Sequence, residues 1–269
     1  MLNDLKLKPV VAMPGFERQT LNVAGVETVV YSIGKGPPLV FLHGAGSFTG
    51  FEAVRQWADQ RTVIVPYHPG FGESSDDPTM DTIGDYVIHY AELFDHLGLD
   101  TLDLMGFSLG GWMAAEFAVL QPRRVAKLIL VAPAGLVVPE HPAPDLFSIA
   151  PPDLPAYLAH DPTVALRYFP QGPDPAFEAL IGREMTATAR LIAPLPQGNP
   201  KLTRWLHRLD MPGLILWGDK DRMRPVEQGR VWEALMPHAR LLVTPEAGHL
   251  LFEERPEAAE AVTTFLRSQ

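Results

Sequence analysis

The chain has 269 residues, 46% of them hydrophobic, no cysteine, and a formal net charge of −10. Disulfides and a thiol nucleophile are excluded, and the acidic balance disfavours a grip on nucleic acid or on an anionic membrane by bulk charge. No apolar stretch approaches the ~18 residues that suggest a membrane span, and Met1–Phe16 lacks the charged, apolar and small-residue regions of a signal peptide, so a cytoplasmic protein is expected.

Gln19 to Ile33 reads as two strands joined by a tight turn at Ala24-Gly25. Pro38 to Leu42 is a continuous apolar run, the mark of a strand buried on both faces, and it ends at His43-Gly44-Ala45-Gly46. Thr62 to Pro66 is a second such strand, followed by Tyr67-His68-Pro69-Gly70-Phe71-Gly72. Thr82 to Leu97 carries apolar residues at helical spacing and stops at Gly98. Strand Thr101–Met105, a helix of small residues from Leu109 to Leu120 and strand Val125–Val131 follow. The last third repeats the alternation, with strand Gly213–Trp217, helix Val226–Leu235, strand Arg240–Thr244 and helix Glu257–Leu266. Strands alternating with helices imply an α/β fold, a mostly parallel twisted sheet with helices on both faces. Loops at the carboxyl ends of such strands gather the ligand site.

Residues 135–209 break this rhythm, and about half of the 27 prolines fall between Pro139 and Pro200. Short helical pieces are expected at Pro155–Leu158, Phe177–Leu191 and Leu202–Leu209. The aromatic and aliphatic content of the segment argues against disorder. It reads as a lid inserted between two strands of a core made of residues 1–134 and 210–269, rather than as a proline-rich surface loop.

Ser108 stands in Gly106-Phe107-Ser108-Leu109-Gly110-Gly111, directly after a strand and before a helix. Glycines two residues either side of a serine are the pattern of a nucleophile elbow, where a side chain at Gly106 or Gly110 would crowd the turn. A free serine is a poor nucleophile at neutral pH and needs a base, itself oriented by a third group. Trp217-Gly218-Asp219-Lys220-Asp221 offers a carboxylate at one strand end, and Ala247-Gly248-His249 an imidazole after another. The chain has nine histidines; His249 is singled out by following a strand and a glycine near the C-terminus. A Gly-x-Ser-x-Gly alone is often only a tight turn, so the reading depends on the three motifs together.

With Phe41-Leu42-His43-Gly44-Ala45-Gly46 and Gly70-Phe71-Gly72-Glu73-Ser74, these motifs occur in an order that resembles the α/β-hydrolase superfamily from about Val23 to Leu266. The resemblance implies Ser108, Asp221 (rather than Asp219) and His249 as a catalytic triad. It also implies the backbone N–H groups of Ala45 and Leu109 as the oxyanion hole. His43 reads as a residue that shapes the oxyanion loop, while His68 stands where many relatives carry Asp, with no role assigned. Trp112 and Met113 read as helix packing, and Arg183, Arg190 and Trp205 as lid structure or solvent-exposed groups ahead of substrate contact; His43, Phe107, Trp112, Arg183, Arg190 and Leu250 are the candidates for substrate contact.

No metal or cofactor is expected, because there is no His-Glu-x-x-His, no Asp-rich calcium loop, no complete Gly-x-Gly-x-x-Gly and no P-loop. The partner expected is a small to medium, largely apolar ester, or a lactone, cleaved through an acyl-enzyme by either a monomer or a homodimer. A carbon–carbon bond hydrolase of vinylogous diketones is the alternative. Such relatives typically carry Asn before the nucleophile and Trp after the base, where this chain has Phe107 and Leu250. A ligand-binding protein on the same fold is the third reading.

Overall fold

The computed structural model describes residues 13–47 and 51–268. Residues 1–12, which fall within the stretch read for a leader, lie outside them. Eight strands form one sheet in the order β1-β2-β4-β3-β5-β6-β7-β8. They are β1 (Glu17–Val23), β2 (Val26–Ile33), β3 (Pro38–Leu42), β4 (Thr62–Pro66), β5 (Leu102–Phe107), β6 (Val125–Val131), β7 (Gly213–Gly218) and β8 (Ala239–Thr244). β1 and β2 form an antiparallel hairpin, and β2 meets β4 antiparallel. From β4 to β8 every pairing is parallel. The runs Phe41-Leu42, Leu102–Phe107 and Gly213–Gly218 are buried throughout, as expected for central strands covered on both faces.

Nine α-helices occur among the described residues: α1 (Phe51–Val54), α2 (Ile83–His96), α3 (Leu109–Leu120), α4 (Leu154–Leu158), α5 (Pro162–Leu166), α6 (Pro175–Ile192), α7 (Val226–Leu235), α8 (Leu251–Glu254) and α9 (Ala259–Arg267). The sheet divides the core in two. On one side Tyr86, Phe94, Trp112, Phe117 and Trp232 pack from α2, α3 and α7. On the other Phe51, Trp57, Phe252, Val262 and Phe265 pack beside α1, α8 and α9. α2 begins with a reciprocal cap between Thr82 and Asp85, which satisfies two otherwise orphaned groups. No helix among the described residues is long and apolar enough to cross a membrane.

The excursion between β6 and β7 carries α4, α5 and α6. Asp174 caps α6 and Pro175 occupies its first turn, so this helix starts two residues before the expected Phe177. α5 is an addition to the expected helices, although Asp161-Pro162 carries the same start signal. The expected helix at Leu202–Leu209 is instead two 3₁₀ turns, Leu202–Arg204 and Leu206–Arg208. Likewise Pro256–Ala258 forms a 3₁₀ turn before α9. Leu136 and Val138 near the start of the excursion, and Leu202, Leu206 and Leu209 at its end, are buried in the same cluster as α3.

Three histidines are buried on the α2 side. The His43 and His68 rings stack with centroids 3.6 Å apart, and His89 Nε2 meets Thr28 Oγ1 at 3.1 Å. Burial holds His43 down at about 3, His89 at about 4, and His68 well below the ordinary 6.5. The unfolded chain binds protons at these sites below pH 6.5 while the folded chain does not, so stability is lost as pH falls from 6.5 towards 4. Each such histidine contributes about 1.4 kcal/mol per pH unit to that loss. We expect the stability difference between His89→Gln and wild type to move in favour of the variant by about that slope below pH 6.5. Urea denaturation at pH 7, 6 and 5 measures it; a pH-independent difference contradicts a neutral buried His89.

Candidate active site

β5 runs into Ser108 and α3 begins at Leu109, so the serine occupies a strand-to-helix turn with φ +52° and ψ −114°. This is a sparsely populated conformation for a residue with a Cβ. The neighbouring glycines permit it. A Cβ on Gly106 would stand 2.3 Å from the Gly110 carbonyl oxygen, and one on Gly110 would stand 2.2 Å from the Leu42 carbonyl oxygen. The Ser108 N–H donates to the Val131 carbonyl at 3.0 Å, and the Ser108 carbonyl accepts from Trp112 and Ala134.

Asp221 follows β7 and His249 follows β8. Asp219 N–H donates to the Thr244 carbonyl and Lys220 N–H to the Ala247 carbonyl, which joins the two loops. His249 Nδ1 lies 2.8 Å from Asp221 Oδ2, and its Nε2 lies 3.0 Å from Ser108 Oγ. A carboxylate only accepts, so Nδ1 carries the ring proton and Nε2 is left to accept from the serine hydroxyl. Asp219 instead pairs with Lys220 at 3.1 Å on the surface. The second oxygen of Asp221 accepts from the Met223 and Arg224 N–H groups, each at 2.8 Å. His249 is fixed from the other side by its neighbours. Gly248 N–H donates to Glu254 Oε2, and Leu250 N–H donates to the Leu158 carbonyl at the end of α4. A Cβ on Gly248 would stand 2.5 Å from His160 N, so this glycine permits the close approach of the excursion.

The Ala45 and Leu109 N–H groups have no acceptor among the described residues, and both residues line the cavity with Ser108. Leu109 opens α3, where first-turn N–H groups lack intrahelical partners and the helix dipole favours negative charge. His43 lies beneath this edge, fully buried, and does not line the cavity. Its Nδ1–H donates to the Gly44 carbonyl at 2.8 Å, and its Nε2 accepts from the His68 N–H at 3.1 Å. His68 Nε2–H donates back to the His43 carbonyl at 2.8 Å, and its Nδ1 accepts from the Tyr90 hydroxyl. Both rings are held neutral, so neither supplies a charge to the site.

The cavity above Ser108 has a volume of about 340 Å³. Of the six substrate-contact candidates only Phe107 and Leu250 lie in its wall, and the Phe107 ring sits 4.8 Å from the His249 ring. Trp112 is not in the wall, because its Nε1 donates to Glu116 Oε1, which also holds Asn199 in the returning stem of the excursion. Arg183 donates to the Gly72 and Ser74 carbonyls, and Arg190 grips Asp76 and the Met80 carbonyl. These two guanidinium groups clamp α6 onto the β4–α2 loop and do not reach the cavity.

Residues missed by sequence reasoning come mainly from the excursion. Glu184 on α6 is buried in the wall and accepts from Ser47 N–H and Oγ–H and from Gly72 N–H. Burial pushes its carboxyl up, opposed by those donors. It ties α6 to the loop that carries Ala45, across 137 residues of sequence. Thr188, one helical turn further on, and Met223 and Arg224, two and three residues after Asp221, also line the cavity. Only the last two had a sequence signal, their place beside the strand-end carboxylate. Among the described residues no cluster of potential metal ligands occurs.

Known proteins share this architecture. A 2-hydroxy-6-oxo-2,4-heptadienoate hydrolase of Pseudomonas putida is 28% identical, over 91% of this chain and 94% of its own. The carboxylesterase YbfK of Bacillus subtilis is also 28% identical, over 86% of this chain and 80% of its own. Among solved structures, 2-hydroxy-6-oxo-6-phenylhexa-2,4-dienoate hydrolase from Rhodococcus sp. strain RHA1 superposes with a TM-score of 0.78 at 22% identity, covering 94% of this chain and 99% of that one; at that identity it speaks for the fold alone. The model of the alpha/beta hydrolase family matches residues 39–262, from the second residue of β3 into α9 and through every loop described above, and the chain belongs to that family.

Proposed function

We propose that this chain hydrolyses carboxylic esters, lactones among them, with Ser108 as nucleophile, His249 as general base and acid, and Asp221 as the carboxylate that orients the ring. The observation that carries this reading is the unbroken hydrogen-bonded line from Ser108 Oγ through His249 to Asp221, opening on a largely apolar cavity. Ser108 Oγ attacks the ester carbonyl carbon as its proton passes to His249 Nε2. The oxygen that gains charge is received by the Ala45 and Leu109 N–H groups. His249 returns the proton to the departing alcohol, and the C–O bond breaks to leave an acyl-serine. Water, deprotonated by His249, then attacks the acyl carbon and frees the acid and Ser108. General acid–base assistance of this kind contributes ~10²–10⁴ in rate, and each oxyanion donor ~10²–10³.

The portion of the excursion that stands over the sheet acts in this reading as a lid. Its side chains Leu146, Leu154, Ile181 and Met185 supply much of the apolar wall, which suits small to medium apolar groups. A second reading, hydrolysis of a carbon–carbon bond in a vinylogous diketone, is favoured by the similarity to the 2-hydroxy-6-oxo-2,4-heptadienoate hydrolase of Pseudomonas putida. Against it stand Phe107 and Leu250, where such hydrolases typically have Asn and Trp.

With p-nitrophenyl butyrate, Ser108→Ala lowers kcat by about 10³-fold or more, and Asp221→Asn by about 10⁴-fold through loss of the correct tautomer. Asp219→Asn stays within a few-fold of wild type. Undiminished turnover by Ser108→Ala would remove the assignment.

A panel of an ester, a lactone, a prolyl amide and a vinylogous diketone, read as kcat/KM, separates the activities. Fastest turnover of the ester or lactone is expected, together with a fluorophosphonate adduct on Ser108. A diketone that outruns both esters transfers the assignment to the second reading, and no turnover with no adduct points to a binding protein.

A further inference from the structure

The cavity wall is apolar at Phe107, Leu158 and Leu250, yet an arginine belongs to it. Arg224 lines the cavity, and its Nε and Nη1 are shielded from solvent without a hydrogen-bond partner among the described residues. Its backbone, by contrast, is fixed at both ends. The N–H donates to Asp221 Oδ1 at 2.8 Å, and the carbonyl accepts from Trp217 Nε1 at 2.8 Å. The carboxylate that orients His249 therefore also sets where Arg224 stands.

The acidic groups nearby are engaged elsewhere. Asp221 uses one oxygen on His249 and the other on the Met223 and Arg224 N–H groups. Glu184 is committed to Ser47 and Gly72. Asp145, also in the wall, is an exposed residue and caps the Phe147 N–H. Arg222, two residues earlier, shows an arginine of the same turn in a packing role: its guanidinium lies 4.5 Å from the centre of the Tyr157 ring and donates to the Ala156 carbonyl. Arg224 has no such partner among the described residues. Burial lowers its pKa to about 10, which leaves it a cation at neutral pH. The Asp221 carboxylate acts on it electrostatically but makes no hydrogen bond to its Nε or Nη1, and a ligand anion that meets the guanidinium in a desolvated cavity gains a charge-assisted hydrogen bond. A second unpartnered donor, the buried Thr188 Oγ1, belongs to the same wall.

We propose that Arg224 is an anion subsite of the cavity, and that the ester cleaved at Ser108 has an acyl part ending in a carboxylate, as in a monoester of an aliphatic dicarboxylic acid. The ester bond is taken from the function proposed above; the anion subsite itself does not depend on it.

Two measurements keep these parts separate. The first is calorimetric binding of free dicarboxylates, from succinate to suberate, to wild type, Arg224→Gln and Arg224→Lys. At least one diacid is expected to bind wild type, with affinity about tenfold or more weaker in Arg224→Gln and partly kept in Arg224→Lys. Equal affinity in all three proteins, or no binding to wild type at about 10 mM of any diacid, overturns the subsite. The second compares kcat/KM for the monoethyl and diethyl esters of the diacid that binds best. The monoester is expected to be preferred by wild type, and the preference to fall about tenfold or more in Arg224→Gln. If Arg224 only supported Asp221 electrostatically, both esters would slow equally and the preference would survive, which also overturns the proposal. Should neither ester turn over while binding remains Arg224-dependent, the ester reading fails and the subsite stands. Thermal melting of each variant confirms that a folded protein was compared.

Discussion

The backbone of Ser108 is the constraint on which the rest of the site depends. A residue with a side chain held at φ +52° costs roughly 1–3 kcal/mol and persists only where its surroundings over-determine it. Here β6 takes its N–H, α3 and the Ala134 N–H take its carbonyl, and Gly106 and Gly110 let main chains approach to distances that no Cβ would tolerate. The same turn ends β5 and starts α3. The hydroxyl is thus lifted off the sheet at the point where the first unpaired N–H of the helix faces the cavity. The position of the serine hydroxyl and the unpaired N–H at the start of α3 are two consequences of one backbone geometry.

Much of this was legible in the residues. The strands Pro38–Leu42, Thr62–Pro66 and Val125–Val131 and the helices Leu109–Leu120 and Val226–Leu235 match the observed bounds. Unbroken apolar runs between turn residues, and periodic small or apolar residues between caps, are local signals that tertiary packing here reinforces. The crowding at Gly106 and Gly110 was legible too, because a glycine either side of a strand-end serine has few other uses. What was hidden is what depends on distant approach. Glu184 gives no local sign that it will hold Ser47 and Gly72, and the structural role expected for Arg183 and Arg190 gave no sign that their partners would lie in the β4–α2 loop. The 3₁₀ turns of the returning stem escaped for another reason. Leu202, Leu206 and Leu209 are spaced as a helix would space them, but they satisfy burial against α3 without one.

The stacked histidines bear on the electrostatics of the oxyanion side. Two imidazoles 3.6 Å apart in a dry core could not both be charged, and both are held neutral. They act as a hydrogen-bonded spacer. His43 braces the Gly44 carbonyl, and His68 braces the His43 carbonyl while Tyr90 braces His68. The position of His68, where relatives of this kind often place an aspartate, is thereby filled by a group that fixes the loop without adding negative charge behind it.

The excursion and the histidine loop share their anchors, which links cavity shape to reactivity. Glu254 accepts from the Gly248 N–H on one side and the Asp161 N–H at the start of α5 on the other, and Leu250 bonds to the end of α4. Glu184 performs the matching task at the far wall, joining α6 to the loop of Ala45. Movement of the excursion as a rigid body would therefore strain both the His249 loop and the Ala45 loop.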